Sequence, residues 1–410
     1  MTSFNALRVR ADVPELRRTV NDRPLTYLDS ASSSLPPRAV IEAMSRYYEL
    51  RHANVHRGVY QIANEATDAY EGARAAVARF VRAPGGEREI VFTKNTTESF
   101  NLVARSWGSR LRAGDVVLVS EMEHHANIVP WFQLRDSVGI EVRFIPVGDD
   151  YRLDLTHLDE LLRGVKLLSI TAMSNVLGTK NPIADLARAA HRAGALIAVD
   201  AAQSVAHSPS DVGELDVDFF AFSGHKMLGP TGIGVLWTRE SVLDTMGPFL
   251  GGGGMISDVS TDGFTPARGV ARFEAGTPPI AEAVGLHAAV RYLDGLGMEN
   301  LAAYEKTLTA DALERLALTF DDRVRIIGPA TTDDRGGVIS LDVQGVHPHD
   351  VAQVLDQFGV CVRPGHHCAK PLMRRFGLAA TARASFGPYS LIKDTDVLLE
   401  ALEYSLKMFG

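Results

Sequence analysis

Between residues 89 and 222, short continuous apolar runs alternate with helical segments, and this feature narrows the possible folds more than any other. The runs are EIVFT (89–93), VVLV (116–119), KLLSIT (166–171), ALIAVD (195–200) and VDFFAF (217–222). A strand with one wet face alternates apolar and polar residues. A strand apolar throughout must be covered on both faces, as in a mainly parallel sheet flanked by helices. Between two of these runs, NPIADLARAAHRAG offers Asn181 as a helix cap, Pro182 at the first helical position and Gly194 just past the end. The centre of the chain is therefore predicted to be α/β and doubly wound.

The flanks read differently. Upstream, PPRAVIEAMSRYYEL carries Val40, Ile41, Met44, Tyr47 and Tyr48 at helical spacing, and a second helix is predicted over 65–81. Downstream, the helical LAAYEKTLTADALERLAL precedes short strands VRIIG, GVISLDV and GVCVRPG and a closing helix, DTDVLLEALEYSLKMF. That order predicts a smaller α+β domain. The expected organisation is an N-terminal segment (1–28) packing with the small domain, a large α/β domain (29–289) and a small domain (290–410). GGGGMIS (251–257) is either a linker or a loop needing unusual backbone angles.

Composition excludes several classes. A formal charge of −8 without any basic stretch argues against a general nucleic-acid binder. No apolar run approaches the roughly 18 residues of a membrane helix, and the N-terminus lacks the apolar segment of a signal peptide. Only Cys361 and Cys368 are present, which rules out a disulfide framework and a cysteine-rich zinc site. A cytoplasmic location is expected.

In open α/β sheets, ligands bind at the carboxyl ends of the strands, and here each run ends in polar residues. Thr96 and Thr97 follow the first, His124 and His125 the second, and Asn175 the third. Asp200 and Gln203 follow the fourth; Ser223, His225 and Lys226 follow the fifth. Each has an ordinary reading alone: Thr96 as a helix cap, His124 as a surface histidine, Asp200 as a turn cap, Asn175 as a turn residue, Lys226 as a solvated charge. Together they line one sheet edge with what pyridoxal phosphate requires. The set holds an amine to join its aldehyde, a carboxylate to keep the pyridine nitrogen protonated, a flat ring partner and donors for the phosphate. A nucleotide-binding dehydrogenase is a poor alternative, since no G-x-G-x-x-G lies between a strand and a helix.

The ordered motifs YLDSAS, NVHRG, ATDAYEGAR, TTES, MEHHANIVPW, SNVLGT, VDAAQ, SGHKMLGPTGIG, RFEAGTP and RPGHHCAKPLM resemble those of the Suf-type cysteine desulfurases. These are class-V aminotransferase-like enzymes of pyridoxal-phosphate fold type I, and the resemblance runs from about residue 20 to the C-terminus. It implies that Lys226 carries the cofactor, Asp200 pairs with the pyridinium nitrogen, His124 stacks on the ring and Gln203 reaches the phenolic oxygen. Thr96, Thr97, Ser223 and His225 match phosphate-holding positions. Thr277 matches a residue reaching the phosphate of a neighbouring subunit, which implies a homodimer. Asn175 and Arg383 match substrate-carboxylate positions, and Arg363 is expected with them among the substrate-binding residues.

The same resemblance makes Cys368 the sulfur acceptor, converting L-cysteine to L-alanine with a persulfide on its thiol, and Lys226 or His124 the proton carrier. Arg363, His366 and His367 nearby are expected to favour the thiolate. Metal binding by His366, His367 and Cys368 is the weaker reading, because three adjacent residues offer no fourth ligand. Cys361, between Val360 and Val362, reads as a buried inert thiol. His349 in GVHPHDV matches a histidine that serves a zinc-bearing SufU-type acceptor, or is an idle loop residue; a SufE- or SufU-type acceptor is the expected partner. Departures from the family pattern are Ala172, Ala201, Ser33 and Tyr60. They bear on substrate range and acceptor, and leave a selenocysteine lyase or another pyridoxal-phosphate β-lyase as the alternative activity.

Overall fold

The computed structural model describes residues 4–409, so the first three residues of the N-terminal segment and Gly410 lie outside it. The apolar runs become strands of one seven-stranded sheet. In chain order these are β1 (Ile90–Thr93), β2 (Val116–Ser120), β3 (Glu141–Ile145), β4 (Val165–Thr171), β5 (Leu196–Asp200), β6 (Phe219–Ser223) and β7 (Gly234–Thr238). Their spatial order is β1-β7-β6-β5-β4-β2-β3. The pairs from β6 to β3 are parallel, and only β7 runs against its neighbours.

Alternation along each strand explains why the runs are apolar throughout. Val116, Leu118, Phe220 and Phe222 point into one core, while Val117, Val119, Phe219 and Ala221 point into another on the opposite face. Each such valine, leucine or phenylalanine, hidden from water, stabilises the fold by roughly 1.5–3 kcal/mol. β3 has no counterpart among the expected strands. It is an edge strand whose Glu141 and Arg143 keep one face wet, so no continuous apolar run marks it.

Beyond helix Met298–Phe320 lies a four-stranded antiparallel sheet. Its strands are β8 (Val324–Ile327), β9 (Val338–Val343), β10 (Arg363–Gly365) and β11 (Thr381–Ser385), in the order β8-β9-β11-β10. Helices Pro348–Gln357 and Ile392–Phe409 share its core, with Phe320, Ile339, Leu355 and Leu398. The N-terminal segment touches both cores. Thr26–Tyr27 pairs with Val360–Cys361 and Arg10 bonds Asp394, yet Val9, Val13 and Leu16 enter the core of the large sheet.

Several local expectations are corrected. Asn181 does not cap its helix: that helix is Ile183–Arg192 with Pro182 at the cap position, and the Asn181 amide donates to the Thr171 carbonyl instead. The helix expected over 65–81 begins at Gln61. GVCVRPG is two strands rather than one, because Val360–Cys361 pairs with the N-terminal segment while Arg363–Gly365 pairs with β11. The glycine run 251–254 is an exposed loop before a hairpin (Ile256–Val259, Phe264–Pro266), and only Gly254 in it has positive φ, +86°.

Candidate active site

The strand ends open onto one cleft, whose far wall is formed by the C-terminal sheet and the loop after β10. Lys226 stands in the 3-10 turn Gly224–Lys226 directly after β6. The DSASSS run locks that turn, since Ser33 Oγ, Ser34 Oγ and Ser34 N–H all donate to the His225 carbonyl. Burial pushes the Lys226 amine below its usual range, and the nearby Asp200 carboxylate opposes the shift only in part. An amine so placed holds a neutral, nucleophilic fraction that a solvated lysine lacks.

Asp200 closes β5. Its Oδ1 accepts the Ala202 N–H at 3.0 Å, and among the described residues no donor meets Oδ2. Burial pushes the carboxyl up. An unpartnered, desolvated oxygen lining a cleft is what a protonated ring nitrogen would satisfy. Gln203, one turn on, donates from Nε2 to the Ala31 carbonyl at 2.8 Å.

His124 accepts the Ala126 N–H on Nδ1 at 3.0 Å, so its proton sits on Nε2. Burial, helped by Lys226 and His125, pushes the ring down to about 3. It is a neutral flat donor at physiological pH, not a base. Behind it, Glu123 is wholly buried and accepts from Ser120 Oγ (2.6 Å), Asn127 Nδ2 (2.6 Å) and the Thr171 N–H (3.0 Å). Burial, assisted by Asp200, still pushes Glu123 up to about 8.

Thr96 and Thr97 open the helix Thr96–Leu102, but neither caps it: Asn95 does, accepting the Glu98 N–H. Gly234 permits this, because a Cβ there would meet the Asn95 backbone at 2.6 Å. Thr96 Oγ1 and N–H both reach Ser223 Oγ, at 2.7 and 2.9 Å. His225, pushed down to about 4 by burial and by Lys226, lies beside them. Hydroxyls, a neutral imidazole and the first turn of a helix make a cradle for an anion.

The opposite wall carries Arg363, His367, Cys368 and Arg383, and Asn175, just beyond β4, meets it through His367 and Arg383. Arg383 donates from Nη1 to the Asn175 carbonyl (2.9 Å) and from Nη2 to Asp29 (3.3 Å), and burial pushes it down to about 10. Cys368 is exposed, on backbone that passes through the left-handed region at His367 (φ 52°) and Cys368 (φ 55°). Hydrogen bonds hold this loop: His125 N–H to the Cys368 carbonyl (2.7 Å), Cys368 N–H to His366 Nδ1 (3.1 Å), and Lys370 N–H to His125 Nε2 (3.1 Å).

A match to the Aminotransferase class-V family covers residues 26–398. The chain belongs to that family. A probable cysteine desulfurase of Streptomyces coelicolor is 49% identical to this family member, covering 98% of this chain and 97% of that protein. Among solved structures, the cysteine desulfurase CsdA of Escherichia coli is similar with a TM-score of 0.91 at 39% identity, covering 99% of this chain and 100% of that one. A cysteine desulfurase of Thermococcus onnurineus also has a TM-score of 0.91, at 41% identity, covering 97% of this chain and 98% of that one.

Within this class-V member, Thr277, expected to serve a neighbouring subunit, is exposed and lies outside the cleft of its own chain. Two other expectations change. His367 cannot promote a thiolate by charge, since burial and Arg383 push it down to about 2 and its Nε2 is engaged with Thr381 Oγ1. Cys361 is half-buried rather than sealed, although burial does push its thiol up. Asp29 and Glu123 were not singled out from sequence, and His125 was noted at its strand end without a role. Asp29 stands inside YLDSAS and His125 beside His124, so both were visible, but nothing in their spacing shows which backbone they hold.

Proposed function

We propose that this chain is a pyridoxal-phosphate-dependent cysteine desulfurase that takes the sulfur of L-cysteine onto Cys368, releases L-alanine and passes the sulfur to an acceptor protein. One observation carries it: an exposed thiol on a left-handed loop faces the same cleft as a half-buried lysine and a buried aspartate with one unpartnered carboxylate oxygen.

The residues present suit that cofactor. Asp200 Oδ2 would meet the ring nitrogen, His124 the ring face, Gln203 the phenolic oxygen, and Lys226 the aldehyde carbon. Thr96, Thr97, Ser223 and His225 would hold the phosphate. When bound, the group supplies an electron sink conjugated to the substrate's α-carbon. Asn175, Arg363 and Arg383 orient the substrate carboxylate, Arg383 with a fork suited to two parallel hydrogen bonds. Lys226 Nζ carries the α-proton, because its depressed pKa lets it accept and return one, whereas neutral His124 serves as donor and stacking partner. Cys368 Sγ, as thiolate, attacks the substrate sulfur to form the persulfide as the substrate's Cβ–S bond breaks; that bond's electron pair stays with the carbon, which takes up a proton to become the methyl group of alanine.

The proposal includes a homodimer, a cytoplasmic location and the three-part organisation 1–28, 29–289 and 290–410. Exposed apolar side chains on 41–62 support the dimer, among them Tyr48, Leu50 and Val59, the last 97% exposed. Exposed Thr277 would then serve the phosphate of the second copy. Two free cysteines suit a reducing compartment, and among the described residues no helix is long and apolar enough to cross a membrane. A separate core for the C-terminal sheet supports the boundary near 290. For the acceptor we favour a SufE- or SufU-type protein docking beside Cys368, with His349 exposed on the first turn of Pro348–Gln357.

The test is persulfide trapping: incubation with L-cysteine, alkylation and peptide mass analysis should place the extra sulfur on Cys368, with L-alanine formed. Cys368→Ala should keep the cofactor's absorbance yet transfer no sulfur. Undiminished transfer by that variant would overturn the assignment.

A further inference from the structure

A carboxyl group buried away from water is costly unless donors surround it, and three surround Glu123. They come from different segments: Ser120 Oγ at the end of β2, Asn127 Nδ2 in the 3-10 turn His125–Asn127, and the Thr171 N–H at the end of β4. Asn127 cannot turn its amide over. Its Oδ1 accepts from Ser169 Oγ and from Trp131 Nε1, a group that only donates, so Nδ2 must face Glu123. Every member of this network is buried.

The floor of the cleft is assembled from separate strands, and the network joins two of its parts. His124 stands at the start of the turn that Asn127 ends, while Asp200 is the direct register partner of Thr171 across β4 and β5. The Glu123 carboxyl divides its oxygens between them. Oε2 holds the turn of His124, and Oε1 holds the strand beside Asp200.

We propose that Glu123 is a positioning residue: by tying the turn of His124 to the strand beside Asp200, it fixes the slot in which the cofactor ring would lie. This rests on the reading of His124 as partner of the ring face and Asp200 as partner of the ring nitrogen. An amide at position 123 cannot replace the carboxyl. Whichever way it turns, its NH2 meets another donor, Asn127 Nδ2 on one side or the Thr171 N–H on the other. Exchanging the two groups mends this. In Glu123→Gln combined with Asn127→Asp, the amide donates to the relocated carboxylate, which still accepts from Trp131 and Ser169, and every hydrogen bond of the network returns.

The experiment compares the cofactor-loaded enzymes by visible circular dichroism per bound cofactor, which reports how the ring is seated, and by alanine formation from L-cysteine. Glu123→Gln should lose about half the dichroic signal and about tenfold in kcat, with KM little changed, as expected when reacting groups are displaced by a fraction of an ångström. The paired exchange should recover both. A merely structural role would lower thermal stability in Glu123→Gln yet leave the signal per cofactor unmoved, and that result overturns the proposal. Should Glu123→Gln fail to fold or to load, the paired exchange decides, and an exchange that restores neither loading nor signal also overturns it. A wild-type chain that develops no visible band with pyridoxal phosphate would instead refute the functional reading.

Discussion

On the floor of the cleft, Asp200, Lys226 and His124 sit just beyond strands covered on both faces, and each is desolvated. On the opposite wall, Cys368 is exposed, on a loop with left-handed backbone; its carbonyl accepts the His125 N–H, its N–H donates to His366 Nδ1, and the Lys370 N–H donates to His125 Nε2. The floor thus fixes protonation states: a depressed amine, a neutral imidazole and a carboxyl with one open oxygen. The wall fixes position, setting an exposed thiol over the same cleft. Burial suits groups whose chemistry depends on charge.

The contrast breaks first at Lys226. Lys226→Ala should lower turnover by about 10⁴ or more and abolish the absorbance of the bound cofactor, measured by steady-state alanine formation and a visible spectrum. If that spectrum stays unchanged, the floor does not hold the cofactor through this amine.

A smaller effect is expected at the wall. His125→Ala removes the Nε2 acceptor for Lys370 N–H while sparing the cofactor contacts. Turnover should fall about tenfold with the spectrum unaltered, while proteolysis between 366 and 370 quickens. A loop as resistant as wild type would show that other contacts suffice.

Acid stability separates the regions again. His367 is pushed from an ordinary 6.5 down to about 2, so between those values the unfolded chain binds a proton that the folded one refuses. Its contribution is complete above pH 6.5 and is lost as pH falls, at about 1.4 kcal/mol per pH unit. His124 and His225 act in the same direction, whereas Glu123, pushed up to about 8, acts oppositely. Denaturant titrations at pH 7 and pH 5 should therefore show wild type losing about 2 kcal/mol more than His367→Gln. Equal losses would mean that the imidazole is charged in the fold.

The smallest effect concerns the surface. His349→Ala should leave turnover with a chemical reductant unchanged while reducing stimulation by a zinc-bearing SufU-type acceptor. Full stimulation would remove His349 from the docking site.

Much of the floor was legible in the sequence, because a strand buried on both faces writes itself as a continuous apolar run, and the polar residues ending it can only be at the sheet's edge. Lys226, Asp200 and His124 were found in this way. The wall was less so. Arg383 lies in TARAS, too short and mixed to read as a strand, and Asp29 is one acid among many. Asn181 looked like a cap by spacing, yet its amide was claimed by Thr171 across the fold.

The order of residues alone determined the class of sheet, the cleft edge and the chemistry-bearing groups of the floor, since those follow from periodicity and side-chain type. Only the tertiary structure decided which groups are charged and which hold one another. Asp29 is far from Arg363 and Arg383 along the chain and joins them only through strand pairing. Desolvation, likewise, is set by everything packed around a group and by almost nothing adjacent to it in sequence.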